Sequence, residues 1–314
     1  MDDFTAYIFR EHYSKVQELG DTLSNISDSI DWEPFRGIIS RLYKDNREDG
    51  GRPHFDEILM VKILVLQQLY GLSDYEIERH LYDRVSFWHF LGYPKGIPDR
   101  STIWFFRERL KNDDSLDRIW DELQCQLDNL GYEIIRGVMQ DATFITADPG
   151  HAKADKPRGE EAQTRRSKEG TWSKKGNHSY FGFKMHTLVD KENQFIRSVA
   201  TSTASLHDSQ VDLSEEGQTV YRDRGYFGVE PMASMDKTMD RATRNHPLNY
   251  KQIRRNRAIS RIRSLVERPY AVVKRVFKGG HVLVTTVERV HVKNVFSCFA
   301  YNLYRLKSVQ KFTQ

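Results

Sequence analysis

Near Gly131 the hydrophobic pattern of this 314-residue chain changes period, and that change orders its layers: helices first, then strands. Upstream, Phe35, Ile38, Ile39 and Leu42 fall on one helical stripe. The run HFDEILMVKILVLQQLYGL is dense in Ile, Leu and Val and too long for a strand, so it reads as a buried helix. Ser73 with Glu76 makes a capping box for DYEIERHLYD. After the turn-rich YPKGIPDRS, either Ser101 or Asp99 caps TIWFFRERL. Helix, short helix and capped helix in succession suggest a helix-turn-helix-like arrangement that presents one helix to a DNA groove. A small bundle that binds nothing gives the same pattern.

Downstream, YEIIRGVMQDATFI is short, apolar and bounded by Gly131, and reads as a strand. Residues 149–179 offer almost nothing to bury and read as a long, mobile, basic loop. YFGFKMHTLVD and QFIRSVATST follow as two strands joined by a turn at Lys191–Asn193, and Asp208 is placed to cap a short helix. QTVYRDRGYFG gives a brief strand and a Gly-containing turn. Ile259, Ile262, Val266, Val273 and Phe277, with Tyr270, mark a helix in which Pro269 predicts a bend near Leu265–Pro269. HVLVTTV reads as a further strand, and NVFSCFAYNLYRLKSV as a closing amphipathic helix. The order predicts an α/β fold with a mixed sheet flanked by helices, after an all-α N-terminal region.

Charge is segregated along the chain. Between Arg241 and Lys278 there are twelve Lys or Arg and a single acid, Glu267, although the whole chain carries only +4. Residues 1–60 hold thirteen acids against seven bases. Such asymmetry suggests a polyanion as partner, a solvated basic face being the plainer explanation. Cys125 and Cys298 lie far apart without metal-ligand company and read as reduced thiols. No signal-peptide pattern and no apolar run long enough for a bilayer appears, which favours the cytoplasm and no membrane partner.

Three acids stand at element boundaries: Asp141 by the first strand, Asp223 after TVYR, and Glu267 inside the basic helix. Hard divalent cations take carboxylate oxygens, and two such ions serve phosphodiester chemistry. Asp148 competes with Asp141, Asp208 competes with Asp223, and Glu267 also suits a salt bridge to Arg263, four residues earlier. Spacing alone does not choose among them.

These stretches together resemble DDE-class insertion-sequence transposases, of the insertion-sequence-five group. RPHFDEILMVKILVLQQLYGLSDYEIERHLYDRVSFWHFLGYPKGIPDRSTIWFFRERL looks like the family's N-terminal helical domain. VMQDATFI looks like its first catalytic strand, WSKKGNHSYFGFKMHTLVD like the lead into the next, and TASLHDSQ with VYRDRGYFG like the second Asp and its approach. RIRSLVERPYAVVKRVF looks like the third-acid helix. Arg263, Glu267 and Lys274 match the last three members of that family's Tyr, Arg, Glu, Lys signature, while Ser260 stands in place of the Tyr.

The resemblance implies a helical end-binding domain over residues 1–125 and an RNase H-like catalytic domain over 131–310. It implies that Asp141, Asp223 and Glu267 coordinate two Mg²⁺ or Mn²⁺ ions. Water then cuts a phosphodiester at each element end, and the freed 3′-hydroxyl attacks target DNA. Arg263, Lys274, Arg268, Arg275 and Lys184 are the implied DNA contacts. The implied partners are terminal inverted repeats and target DNA, with a homodimer pairing the two ends and the DNA-bound protein associated with the nucleoid. A transposase-derived binding protein without catalysis, and a nuclease of the same fold, are the alternatives.

Overall fold

The computed structural model describes residues 4–43, 53–150, 167 and 169–310. The chain divides into two units, Met1–Gly131 with Val295–Gln314, and Tyr132–Asn294. Helices of the first unit are α1 (Phe4–Glu18), α2 (Thr22–Ser27), α3 (Pro34–Ile39), α4 (Glu57–Tyr70), α5 (Asp74–Asp83), α6 (Val85–Phe90), α7 (Arg100–Lys111) and α8 (Ser115–Asn129). Helix α4 forms because Asp56 caps its start, accepting from the Leu59 N–H at 2.9 Å, and Gly71 ends it in the left-handed region at φ 60°. It is apolar nearly all round, and Met60, Val61, Ile63, Leu64, Val65 and Leu66 are all buried. The Ser73–Glu76 capping box of α5 is present, and Asp99 rather than Ser101 caps α7, accepting from Thr102 at 2.7 Å. Among the described residues no helix is long and apolar enough to cross a membrane.

The second unit is built on a seven-stranded sheet. Its strands are β1 (Val138–Ala147), β2 (Thr171–Lys175), β3 (His178–Asp190), β4 (Ile196–Thr203), β5 (Thr219–Arg222), β6 (Met235–Thr238) and β7 (His281–Val282). Strand β3 is long enough to share one edge between two antiparallel partners, β2 along 178–182 and β4 along 183–189. Its other edge pairs antiparallel with β1. Beyond β1 the pairing turns parallel: β5 and then β6 at one end, β7 at the other. After the sheet come α9 (Tyr250–Arg263), a 3₁₀ turn at Ser264–Val266, α10 (Glu267–Ala271), a π turn at Val272–Val276, and α11 (Val287–Gln310), whose residues from Val295 on belong to the first unit. An antiparallel meander followed by parallel strands, flanked by helices and preceded by a helical region, is the expected mixed α/β, RNase H-like architecture.

Several sequence expectations need correction. The first strand starts at Val138, not near Glu133. Gly137 stands just before it at φ 109°, where a Cβ would lie 2.5 Å from the Thr219 carbonyl oxygen, so the chain enters the strand through a tight approach to β5. Ile134 still packs on the Val138–Leu188–Val220 cluster, and that burial produced the strand-like apolar signal. Of the expected loop at 149–179, residues 151–166 and Lys168 lie outside the described residues, but Thr171–Lys175 is strand β2, with Trp172 and Phe181 cross-strand at 5.3 Å between ring centroids. His207, not Asp208, caps the short 3₁₀ turn Asp208–Gln210. Within HVLVTTV, only His281–Val282 pairs as strand. The helix around Glu267 is interrupted where a bend was expected: Pro269 supplies no N–H to the Leu265 carbonyl, and the α-helical ladder gives way to a 3₁₀ turn over Ser264–Val266.

On the inner side of β3, His186 is fully buried, its Nε2 2.8 Å from Ser202 Oγ and its Nδ1 without a hydrogen-bond partner among the described residues. Burial pushes its pKa down from 6.5 to about 4, with Asp208 opposing and Lys184 assisting. The unfolded chain therefore binds the extra proton first, so this stabilisation is complete above pH 6.5 and is lost as pH falls towards 4. The full loss is about 3 kcal/mol. Urea midpoints measured from pH 7 to pH 4 are expected to fall more steeply for the wild type than for His186→Gln, and parallel curves would refute the assignment.

Candidate active site

Asp141 sits in β1, and its partner across the antiparallel pairing is Thr187 of β3. Paired residues on neighbouring strands point to the same face of a sheet. The Thr187 hydroxyl lies 2.8 Å from the hydroxyl of Tyr270, which belongs to α10. The face that carries Asp141 is therefore the face that α10 covers. The Arg263 guanidinium, at the end of α9, donates to Asp141 Oδ2 at 2.7 Å. Arg263, Glu267 and Tyr270 follow one another at helical i, i+4, i+7 spacing. The outer two are bonded to β1 and β3, so Glu267 is held on the stripe between two anchors, its side chain on the exposed rim.

Asp223 reaches the same neighbourhood from the parallel side. Val138 pairs with Val220 and Met139 with Tyr221, and the same register carried on sets Asp223 level with Asp141. Asp223 follows β5 and caps the 3₁₀ turn Arg224–Tyr226, its Oδ1 accepting from Gly225 at 2.7 Å. That cap turns the chain sharply at the strand end and fixes the carboxylate there.

Electrostatics link the acids through Arg263. Burial raises the Asp141 pKa, a rise that Asp223 reinforces and that Arg263 and the Ala142 N–H oppose. Burial alone would push Arg263 down, but Asp141, Asp223 and Glu267 outweigh it and hold the guanidinium charged more firmly than usual. Tyr226, buried beside them, has its hydroxyl pushed up by burial first and then by Asp141, Asp208 and Asp223. The acids share one field. They do not form a ready cage: among the described residues no group of three or more His, Cys, Asp or Glu is arranged to hold a metal ion. In donor chemistry the set still suits a hard divalent cation, since it offers carboxylate oxygens at a place that already gathers positive charge onto Arg263.

Of the competing acids, Asp148 lies away from this arrangement, whereas Asp208 borders it, acting on the Tyr226 hydroxyl as Asp141 and Asp223 do. Asp148 is exposed beyond the end of β1 and closes a loop turn, accepting from Gly150 at 2.7 Å. Asp208 pairs with Lys184 Nζ at 2.7 Å. Lys184, expected at DNA, is instead buried: its ammonium also donates to the Leu206 carbonyl at 2.6 Å and lies 5.3 Å from the Phe144 ring centroid. A charge compensated inside the fold is not available to a phosphate, and Lys184 leaves the set of DNA contacts. Arg268 is exposed on α10 beside Glu267, and Arg275 is exposed on the π turn that follows. Lys274 is half-buried, its pKa lowered by burial and then by Lys175. The Thr187–Tyr270 bond and the buried Tyr226 were absent from the sequence reading. The first joins residues 83 apart, and no local pattern announces it.

Two comparisons with protein families match the chain. Residues 134–303 match a family described as the transposase DDE domain, and residues 10–109 match one described as a transposase domain (DUF772). No solved structure matches the chain.

Proposed function

The chain belongs to the DDE transposase family, and from that premise we propose that it cuts DNA at the ends of an insertion element and joins the freed 3′-ends to target DNA. The observation that supports this best is the 2.7 Å bond from Arg263 to Asp141, on a guanidinium whose charge Asp223 and Glu267 also favour. In this reading the three carboxylates are the catalytic acids and hold divalent metal, on which the family depends. When bound, the ions activate the attacking oxygen and neutralise charge on the leaving one.

The chain's own residues do the rest. In this reading Asp141 of β1 and Asp223 after β5 supply two of the carboxylates, and α10, pinned through Tyr270, supplies the third. Arg268 on α10, with Lys274 and Arg275 on the π turn that follows it, clamp the backbone near the cut, and Arg263 joins them once a phosphate is in reach. Because these are charge contacts, binding weakens steeply with salt. The helical unit reads the element ends. Its α7 is held against α5 by the Arg107–Asp74 fork, at 2.6 and 2.5 Å, leaving Arg100, Ser101, Trp104 and Phe105 on its exposed side. Two protomers pair the two ends.

The test is incubation of the purified protein with duplexes carrying candidate element ends, with and without Mg²⁺, scored for nicks and for joining to plasmid. Metal-dependent nicks and joined products are expected. Nicks without joining mark a nuclease, and binding without nicks marks a protein that has lost catalysis.

A further inference from the structure

We propose that Arg263 is a resident counter-cation that keeps divalent metal off Asp141, and that a DNA phosphate opens the site by drawing the guanidinium away. This rests on the reading of Asp141, Asp223 and Glu267 as the metal-holding acids. Both oxygens of Asp141 are engaged: Oδ1 accepts from the Ala142 N–H at 2.9 Å, and Oδ2 accepts from Arg263 at 2.7 Å. The first bond is local to the strand and leaves room for a further ligand. The second places a full positive charge where a cation ligating Oδ2 would stand. Two cations a few ångströms apart in a shielded site repel strongly, so metal and guanidinium exclude each other.

The pair is shielded without being sealed. The Arg263 and Asp141 side chains keep 20% and 19% of their exposure, so solvent and a phosphate can reach the guanidinium. A guanidinium forks onto a phosphate as readily as onto a carboxylate. Arg263 also ends α9, just before the 3₁₀ turn, so its long side chain sits at a joint between helical segments rather than within a continuous helix. The sequence of events is an exchange of partners: Arg263 passes from Asp141 to DNA, and Asp141 is left an uncompensated carboxylate that takes up metal. A free protein with this lock binds metal weakly and does not cut until DNA is seated. By linkage, metal must tighten DNA binding by the factor by which DNA tightens metal binding.

The test is Mn²⁺ binding to the full chain without DNA, followed by electron paramagnetic resonance of the free ion. Arg263→Gln is expected to bind Mn²⁺ about tenfold tighter than the wild type, within the usual range of such couplings. Arg263→Lys, which keeps the charge but loses the fork, is expected to fall between them, and it decides the matter if the Gln variant does not give a native circular-dichroism spectrum. An end duplex should tighten Mn²⁺ binding less in Arg263→Gln than in the wild type. If the folded variants bind Mn²⁺ no tighter than the wild type, Arg263 is only an anchor for α9 and the proposal falls. Asp141→Ala in the Arg263→Gln background separates the two levels of the argument. Loss of the Mn²⁺ site there upholds Asp141 as a ligand whatever Arg263 does, and an unchanged site overturns the metal-holding reading itself.

Discussion

Glu267→Ala is expected to keep end binding and to lower Mg²⁺-dependent nicking by on the order of 10³-fold or more, equivalent to about 4 kcal/mol of lost transition-state stabilisation. Folding should survive, because Glu267 lies on an exposed rim and the helix is held by its neighbours. Arg263 remains bonded to Asp141 and Tyr270 to Thr187. Exposed substitutions away from such contacts usually change stability by about 0.5 kcal/mol or less. Binding should hold or tighten slightly, since the change removes the only acid from a segment holding twelve basic residues. Gel-shift titration on an end duplex and a nicking time course on the same duplex measure the two quantities together. Nicking within tenfold of wild type would remove Glu267 from the mechanism. Loss of binding in parallel with nicking would instead assign it a structural role.

What could be read from the sequence follows from which forces are local. Caps and helix boundaries were legible because the bonds that make them span a few residues, as at Ser73–Glu76 and Pro269. Strands β3 and β4 were legible because their apolar runs are long and the turn between them is short. Strand β2 was not: it is a short edge strand rich in lysine, and edge strands carry charge for the same reason loops do, to stay soluble and unpaired. Strand β6 is four residues with no periodicity. Lys184 stood among the phosphate contacts only through the family resemblance, and nothing local in FKMHTLVD marks its burial. Both sides of β3 are in fact covered, and the lysine is compensated by Asp208 from a distant loop. Arg263 shows the same limit. Spacing offered Glu267 as its partner, four residues away, but its hydrogen bond goes to Asp141, 122 residues away. The three acids were visible one by one, whereas the bond from Arg263 to Asp141 belongs to the fold.

Gly182→Ala is expected to cost at least about 3 kcal/mol and to disorder the strand that carries Asp141. Gly182 stands at φ 141°, a conformation that side-chain-bearing residues rarely adopt. A Cβ there would lie 2.3 Å from the Ile145 carbonyl oxygen and 2.8 Å from the Ala147 nitrogen, both backbone atoms of β1 that cannot yield without breaking the pairing. Gly182 is also where β3 changes its outer neighbour. It faces Thr146 of β1 on one side and Thr171 of β2 on the other, and its carbonyl accepts from Ala204, just past the end of β4. Four segments meet at a point with no room for a methyl group. Gly176→Ala is the control: its φ is also positive, at 62°, but nothing stands within 4 Å of the added carbon, so only the left-handed penalty of about 1 kcal/mol applies. Urea unfolding of the two variants beside the wild type separates clash from backbone preference. A Gly182→Ala protein no less stable than Gly176→Ala would mean that β1 and β3 approach less closely than these distances require, and the register that places Thr187 opposite Asp141 would need revision.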